Sequence, residues 1–192
     1  RLYEIIAHDF IYADPNNLLV FGDNHDVGRI QRDSSQALGV AKLTIAYILT
    51  TRGIPQLFYG TEIAMSGNDS NGHGDIRRDF PGGWSKDKRS AFNAQGRTIK
   101  ENEIWNYSSK ILNWRKNSTA IHNGKLTHFI PENEVYVYFR YNNQSTVMVI
   151  LNNGYQPKVL ETSRFNEFVL DKSYGWEIIS GKRIDNLSKI QL

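Results

Sequence analysis

LLVFGDNHDVGR, residues 18–29, runs from four apolar residues into a cluster of amide, imidazole and carboxylate. Leu18 to Phe21 has the length and character of a short buried strand, and Gly22 is a natural place for the chain to turn. Asp23, Asn24, His25 and Asp26 then fall at the strand's C-terminal end. In open α/β sheets and in (β/α)-barrels, binding sites are assembled at that end. The stretch therefore predicts a polar site on the rim of a parallel sheet.

The pattern continues on both sides. Leu2, Ile5, Ile6 and Phe10 are spaced like the inward face of a helix that ends near the Asp14-Pro15-Asn16-Asn17 turn. After the polar loop, Leu38, Ala41, Ile45, Ile48 and Leu49 recur at helical spacing, with serines ahead of them and Gly53 as a stop. IPQLFYG, residues 54–60, is a second short apolar run closed by glycine. From Thr61 to about Ser85 the chain is rich in Gly and Asn and has no periodicity, which favours a functional loop over a plain connector. Ile104, Tyr107, Ile111, Leu112 and Trp114 restore a helical pattern.

Beyond about Asn117 the register changes. NGKLTHFI, VYVYFRY, STVMVILNN, FNEFVLD and YGWEIISG read as short β-rich runs separated by turn residues such as Asn123-Gly124 and Asn142-Asn143. Strand–helix–strand–helix followed by consecutive strands implies two architectures, an α/β part and an all-β part, with the boundary near residue 118. Within VYVYFRY, the Tyr136, Tyr138 and Arg140 side alternates with Val135, Val137 and Phe139, so both faces of that strand are expected to be covered. An aromatic stripe could stack on sugar rings, but packing is the favoured reading.

Composition narrows the function classes. The 192 residues suffice for one good-sized domain or two small ones. A hydrophobic share of 40% excludes wholesale disorder. The net charge of +3 comes without a dense Lys/Arg run, so no nucleic-acid partner is expected. The longest apolar runs fall short of the ~20 residues that span a bilayer, so no membrane span is expected. The absence of cysteine removes disulfides, thiolate metal sites and thiol nucleophiles, and leaves the compartment open. The first residues, RLYEIIAHDF, carry neither an initiator Met nor a signal-peptide pattern, and read as a piece of a longer protein.

Asp26 and Glu62 both follow apolar strands, and spacing alone makes them a candidate carboxylate pair for glycosidic hydrolysis. The ordinary alternative is a loop cap and an arginine partner. Here the sequence resembles a known family. FGDNHD, followed some thirty residues later by RGIPQLFYGTEI and then by GHGDIRRDFPGGW, is similar to the α-amylase superfamily, glycoside hydrolase family thirteen, and within it to bacterial neopullulanase- and cyclomaltodextrinase-like members.

The resemblance covers the whole chain and implies a fold. Residues 1–117 would be the C-terminal portion of a (β/α)8 TIM barrel, strands seven and eight with their helices. Residues 118–192 would be an antiparallel β-sandwich, domain C, lacking its last strand. The resemblance also implies roles. Asp26 matches the transition-state-stabilising carboxylate of the catalytic trio, His25 an imidazole that bonds the same sugar, and Asn24 a residue that holds the loop beside the substrate. Arg77 and Asp75 sit where the family contacts the next glucose, although His73 stands where the family has a carboxylate. Glu62 becomes support for the site in place of a catalytic partner. Trp84, in the long loop, would floor a sugar subsite or anchor the loop.

The nucleophilic Asp and the general acid Glu of the family belong to strands four and five and have no counterpart here. A complete barrel takes about 250 residues. The parent is therefore expected to be a retaining α-glucan hydrolase or transglycosidase acting on starch, pullulan or cyclodextrins, and this chain alone is expected to be inactive. Its partners would be α-glucan oligosaccharides or polysaccharides, and it would self-associate through the incomplete barrel. No metal site or cofactor is assigned within the chain; calcium in the parent stays open. The family resemblance leans toward an extracytoplasmic bacterial location. The other class of function is a non-catalytic α-amylase-like scaffold for glucan binding or protein interaction, against which the intact Asn24-His25-Asp26 weighs.

Overall fold

A computed structural model describes residues 2–192. In chain order the helices and strands are α1 (Leu2–Ala7), β1 (Leu19–Phe21), α2 (Gly39–Thr50), β2 (Ile54–Gln56), α3 (His73–Ile76), α4 (Ile99–Arg115) and α5 (Thr119–Asn123). They continue with β3 (Lys125–His128), β4 (Val135–Tyr141), β5 (Thr146–Asn152), β6 (Val159–Glu161), α6 (Asn166–Val169), β7 (Gly175–Trp176), β8 (Arg183–Ile184) and β9 (Lys189–Gln191). The chain divides into two compact units, one of residues 17–49 and 53–112, the other of residues 1–16, 50–52 and 113–192.

The unit of residues 17–49 and 53–112 is built on a parallel pair. Strands β1 and β2 align Leu19 with Ile54, Val20 with Pro55 and Phe21 with Gln56. Parallel neighbours need a long crossover, and α2 supplies it. Its predicted stripe, Leu38, Ala41, Ile45, Ile48 and Leu49, is buried throughout. Gly53 closes the return with φ of 101°, where a Cβ would strike the Leu18 carbonyl at 2.6 Å. That close approach lets the Ile54 N–H bond the same carbonyl at 2.8 Å and fixes the register. On α4, Ile104 and Ile111 are buried two turns apart, and the Lys42 ammonium of α2 meets Glu103 at 2.6 Å. Residues 61–85 hold two 3₁₀ turns and the single helical turn α3, with no strand.

The other unit is centred on β4. It lies between β3 and β5 in an antiparallel sheet, with Val137 opposite Ile150 and Thr127 opposite Phe139. Val135, Val137 and Phe139 face a core completed by Phe165 and Phe168, whose ring stacks on Phe139 at 4.3 Å. The opposite face carries Tyr136, Tyr138 and Arg140, all buried. Tyr138 and Thr50 share a hydroxyl contact of 2.5 Å, and Tyr136 pairs with the His128 imidazole at 2.9 Å. Both faces are covered, as the alternation of VYVYFRY predicts. Two further antiparallel ladders, β6 with β9 and β7 with β8, follow.

Four sequence expectations are corrected. The stripe predicted on the first helix does not face inward: Ile6 is buried, but Leu2 and Ile5 are exposed and Phe10 is 81% exposed. The helix stops at Ala7, and a 3₁₀ turn at Asp9–Ile11 carries the Asp9 carboxylate onto the Arg52 guanidinium, which breaks the helical phase. FNEFVLD is a 3₁₀ turn followed by α6. Phe165 and Phe168 both reach Phe139, and residues three apart share a face in a helix but not in a strand. Asn123-Gly124 ends α5 and is not a hairpin turn. YGWEIISG contributes only Gly175 and Trp176 to a strand.

Candidate functional site

The loop after β1 is shaped by one side chain. Asn24 Oδ1 accepts the N–H groups of Asp26 at 2.7 Å and Val27 at 3.1 Å, folding the chain into an Asx turn. His25 and Asp26 are thereby thrown outward, and the Asp26 side chain is 61% exposed. Gly22 lets the chain pack closely here, since a Cβ would meet the side chains of Thr44 at 2.6 Å and Ile30 at 2.8 Å.

Arg77, at the end of α3, closes the cluster. Its Nε donates to the His25 carbonyl at 2.8 Å, and its Nη2 donates to Asp26 Oδ1 at 3.0 Å. The same Nη2 lies 2.9 Å from His73 Nδ1. A guanidinium can only donate, so His73 accepts at Nδ1 and carries its proton on Nε2. The second oxygen of Asp26 faces His25 Nε2 at 3.2 Å. Asp26 is thus aimed by a cation and an imidazole from opposite sides, at the C-terminal end of a parallel strand.

Asp75 is held differently. Its Oδ2 accepts the Asn68 N–H at 2.8 Å and the Asn71 amide at 3.4 Å, and Arg78 Nε lies 3.6 Å from Oδ1. The Asn68 N–H, ahead of Asn71, pulls its carboxyl below the usual range. These partners lie within residues 68–78, so Asp75 organises its own loop and is not bonded to Asp26 or Arg77. Trp84 is exposed on a turn whose N–H groups at Gly82 and Trp84 bond the Asp87 carboxylate.

Beneath the loop lies a buried charged layer that the motif reading passes over. Asp23 is 2% exposed and Arg29 is wholly buried. Asp23 accepts the Thr61 hydroxyl at 2.9 Å and the Ile30 N–H at 3.2 Å. Arg29 donates to the carbonyls of Ile76 at 3.0 Å and Tyr59 at 2.7 Å, with its guanidinium over the rings of Phe58 and Tyr59. Burial pushes the Asp23 and Glu62 carboxyls up, and the Arg29 guanidinium down. These bonds tie the β1 loop to residues 58–61 after β2 and to α3, so the exposed cluster rests on a fixed floor. One signal could have found them: Asp23 and Arg29 bracket the exposed residues within the same apolar-to-polar stretch, and a buried charge needs a distant partner.

Among the described residues, no group of three or more His, Cys, Asp or Glu side chains is placed to hold a metal ion, and no helix is long and apolar enough to cross a membrane.

Residues 126–192 match the family model of the cyclo-malto-dextrinase C-terminal domain. An α-amylase from Niallia circulans is 30% identical over 144 residues, 74% of this chain and 24% of that protein. A cyclomaltodextrin glucanotransferase from the same organism is 32% identical over 143 residues, again 74% of this chain but 17% of the relative. Over about three quarters of its length the chain is thus similar to enzymes of the α-amylase superfamily. The chain spans at most a quarter of the length of the curated relatives it matches. The solved α-amylase of Geobacillus thermoleovorans, complexed with acarbose, superposes with a TM-score of 0.75 at 22% identity, over 100% of this chain and 40% of the other. An Anoxybacillus α-amylase gives 0.71 at 21% identity, over 100% and 39%. These superpositions show the fold. The named relatives are α-glucan-active enzymes, hydrolases and transferases alike.

Proposed function

We propose that this chain is the C-terminal part of a retaining α-glucan hydrolase or transglycosidase of cyclomaltodextrinase or neopullulanase type, in which Asp26 stabilises the transition state. Residues 1–117 are assigned to the end of a (β/α)8 barrel and residues 118–192 to domain C. The parallel β1–β2 pair with its α2 crossover supports the first assignment, and the family match over 126–192 supports the second. The observation that carries the functional reading is the Asp26 carboxylate, exposed at the C-terminal end of β1 and aimed by Arg77 and His25.

Cleavage of a glycosidic bond develops positive charge on the sugar ring. A carboxylate fixed in place stabilises that charge more than it stabilises the neutral ground state, so it lowers the barrier without bonding to carbon. His25 bonds the hydroxyls of the same ring, and Asn24 holds both through its turn while lining the substrate. Arg77 and Asp75 meet the neighbouring glucose. The nucleophile and the general acid are assigned to the parent's preceding segments, so the chain alone turns over no α-glucan.

In the parent polypeptide, Asp26→Asn is expected to lower turnover on maltooligosaccharides by about a hundredfold to a thousandfold. The measurement is steady-state turnover beside a circular-dichroism spectrum that confirms folding. Turnover near wild type would overturn the assignment.

A further inference from the structure

The β7–β8 ladder carries an unusual face. Tyr174, just ahead of β7, and Trp176 within it bring their rings together. Trp176 lies opposite Arg183 across the ladder. The Arg183 guanidinium sits 4.2 Å over the Tyr174 ring, and its Nε donates to Asp185 at 2.6 Å. The two aromatic rings stand 6.4 Å apart at 89°, one a floor and the other a wall. Trp176 is 60% exposed and Tyr174 is 46% exposed. The other side of the ladder does the packing: a Cβ on Gly175 would meet Leu187 at 3.3 Å, and Ile184 is half-buried.

We propose that Tyr174, Trp176, Arg183 and Asp185 form a second α-glucan contact, separate from the Asp26 cluster, that holds one or two glucose units of a longer chain. The proposal rests on the α-glucan reading above. Its chemistry is complementary to a pyranose: an apolar C–H face stacks on an aromatic ring, and equatorial hydroxyls at its rim meet a guanidinium and a carboxylate. The Arg183–Asp185 pair is neutral overall, which suits an uncharged ligand. The competing occupant is a second copy of the chain, which the test below separates from a glucan.

The test is affinity electrophoresis of the parent protein in native gels containing soluble starch, with dextran gels as the control, alongside turnover of maltotriose. Starch is expected to retard the wild type, and Trp176→Ala and Tyr174→Ala to weaken that retardation by about tenfold. Trp176→Tyr keeps a ring and is expected to retain most of it. Turnover of maltotriose, which the proposal assigns to the Asp26 cluster, is expected to be unchanged in all three. Unchanged starch retardation in Trp176→Ala, in a protein that still turns over maltotriose, overturns the second contact and leaves the proposed activity standing. Equal retardation by dextran also overturns it, as does a loss of self-association in Trp176→Ala without loss of starch binding. A wild type that neither binds starch nor turns over maltotriose defeats the α-glucan reading, and the second contact with it.

Discussion

Asp26, beside His25, differs from Asp23 in what surrounds it, and not in type. The meeting of His25 and Asp26 at the end of β1 was legible because an apolar run broken by glycine delivers whatever follows it to a sheet edge. The burial of Asp23 was not legible, since it depends on the Thr61 hydroxyl 38 residues away. For His25, the bond to Asp26 and the outward position predict action on sugar hydroxyls. His25→Ala in the parent is expected to weaken substrate use with little change in the pH optimum, and a large shift in the pH–rate profile would make it an acid or base instead. Glu62 yields a prediction with a sign. Desolvation lifts its carboxyl above the ordinary 4.5, outweighing the lowering by backbone N–H groups and Arg29. The folded state then binds that proton more tightly than the unfolded chain does. The stability so gained is complete below 4.5 and is lost as the pH rises through the folded-state value. Glu62→Gln stays neutral throughout, so its thermal midpoint should gain on wild type as the pH is raised from about 4 to 7. A difference that stays flat over that range would remove burial as the cause.

At the scale of elements, α2, α4 and β4 were readable because each repeats one period over several turns or pairs. Short segments were not. FNEFVLD places phenylalanines three apart, which fits a single helical turn as well as an irregular strand, and the aromatic face of Phe139 decides between them. The helical turn α5 escaped for another reason: its C-terminal carbonyls are satisfied from β4. Arg140 Nη2 donates to the carbonyls of Ile121 at 2.8 Å and Gly124 at 3.0 Å. Burial pushes the Arg140 guanidinium down to about 10, so it is still charged at neutral pH. Arg140→Met keeps an apolar stem but leaves those carbonyls without their donor. It is expected to cost about 2–4 kcal/mol in urea unfolding. A variant as stable as wild type would show that the guanidinium's own burial offsets both bonds.

For the whole chain, the apolar face of the parallel pair matters most. Leu19, Phe21 and Ile54 share one side and are exposed, and a patch of that kind favours association. The 192-residue chain on its own is expected to show a scattering mass that rises with concentration, and Leu19→Lys with Ile54→Lys to suppress the rise. A monodisperse, cooperatively melting monomer over a wide concentration range would show that the pair needs no cover. The distribution of the β4-centred unit along the chain, residues 1–16, 50–52 and 113–192, has a further consequence during synthesis. A ribosome adds about 5–20 residues per second, so residues 2–16 leave it roughly ten seconds before β4 follows. Asp9 and Arg52 can pair early, but the sheet that anchors their unit is made last. For that interval Ile6, buried in the finished unit, and Tyr3, which stacks there on His128 of β3, lie in a nascent apolar segment of the kind that holding chaperones bind, and the rate of elongation becomes a variable in how this protein folds.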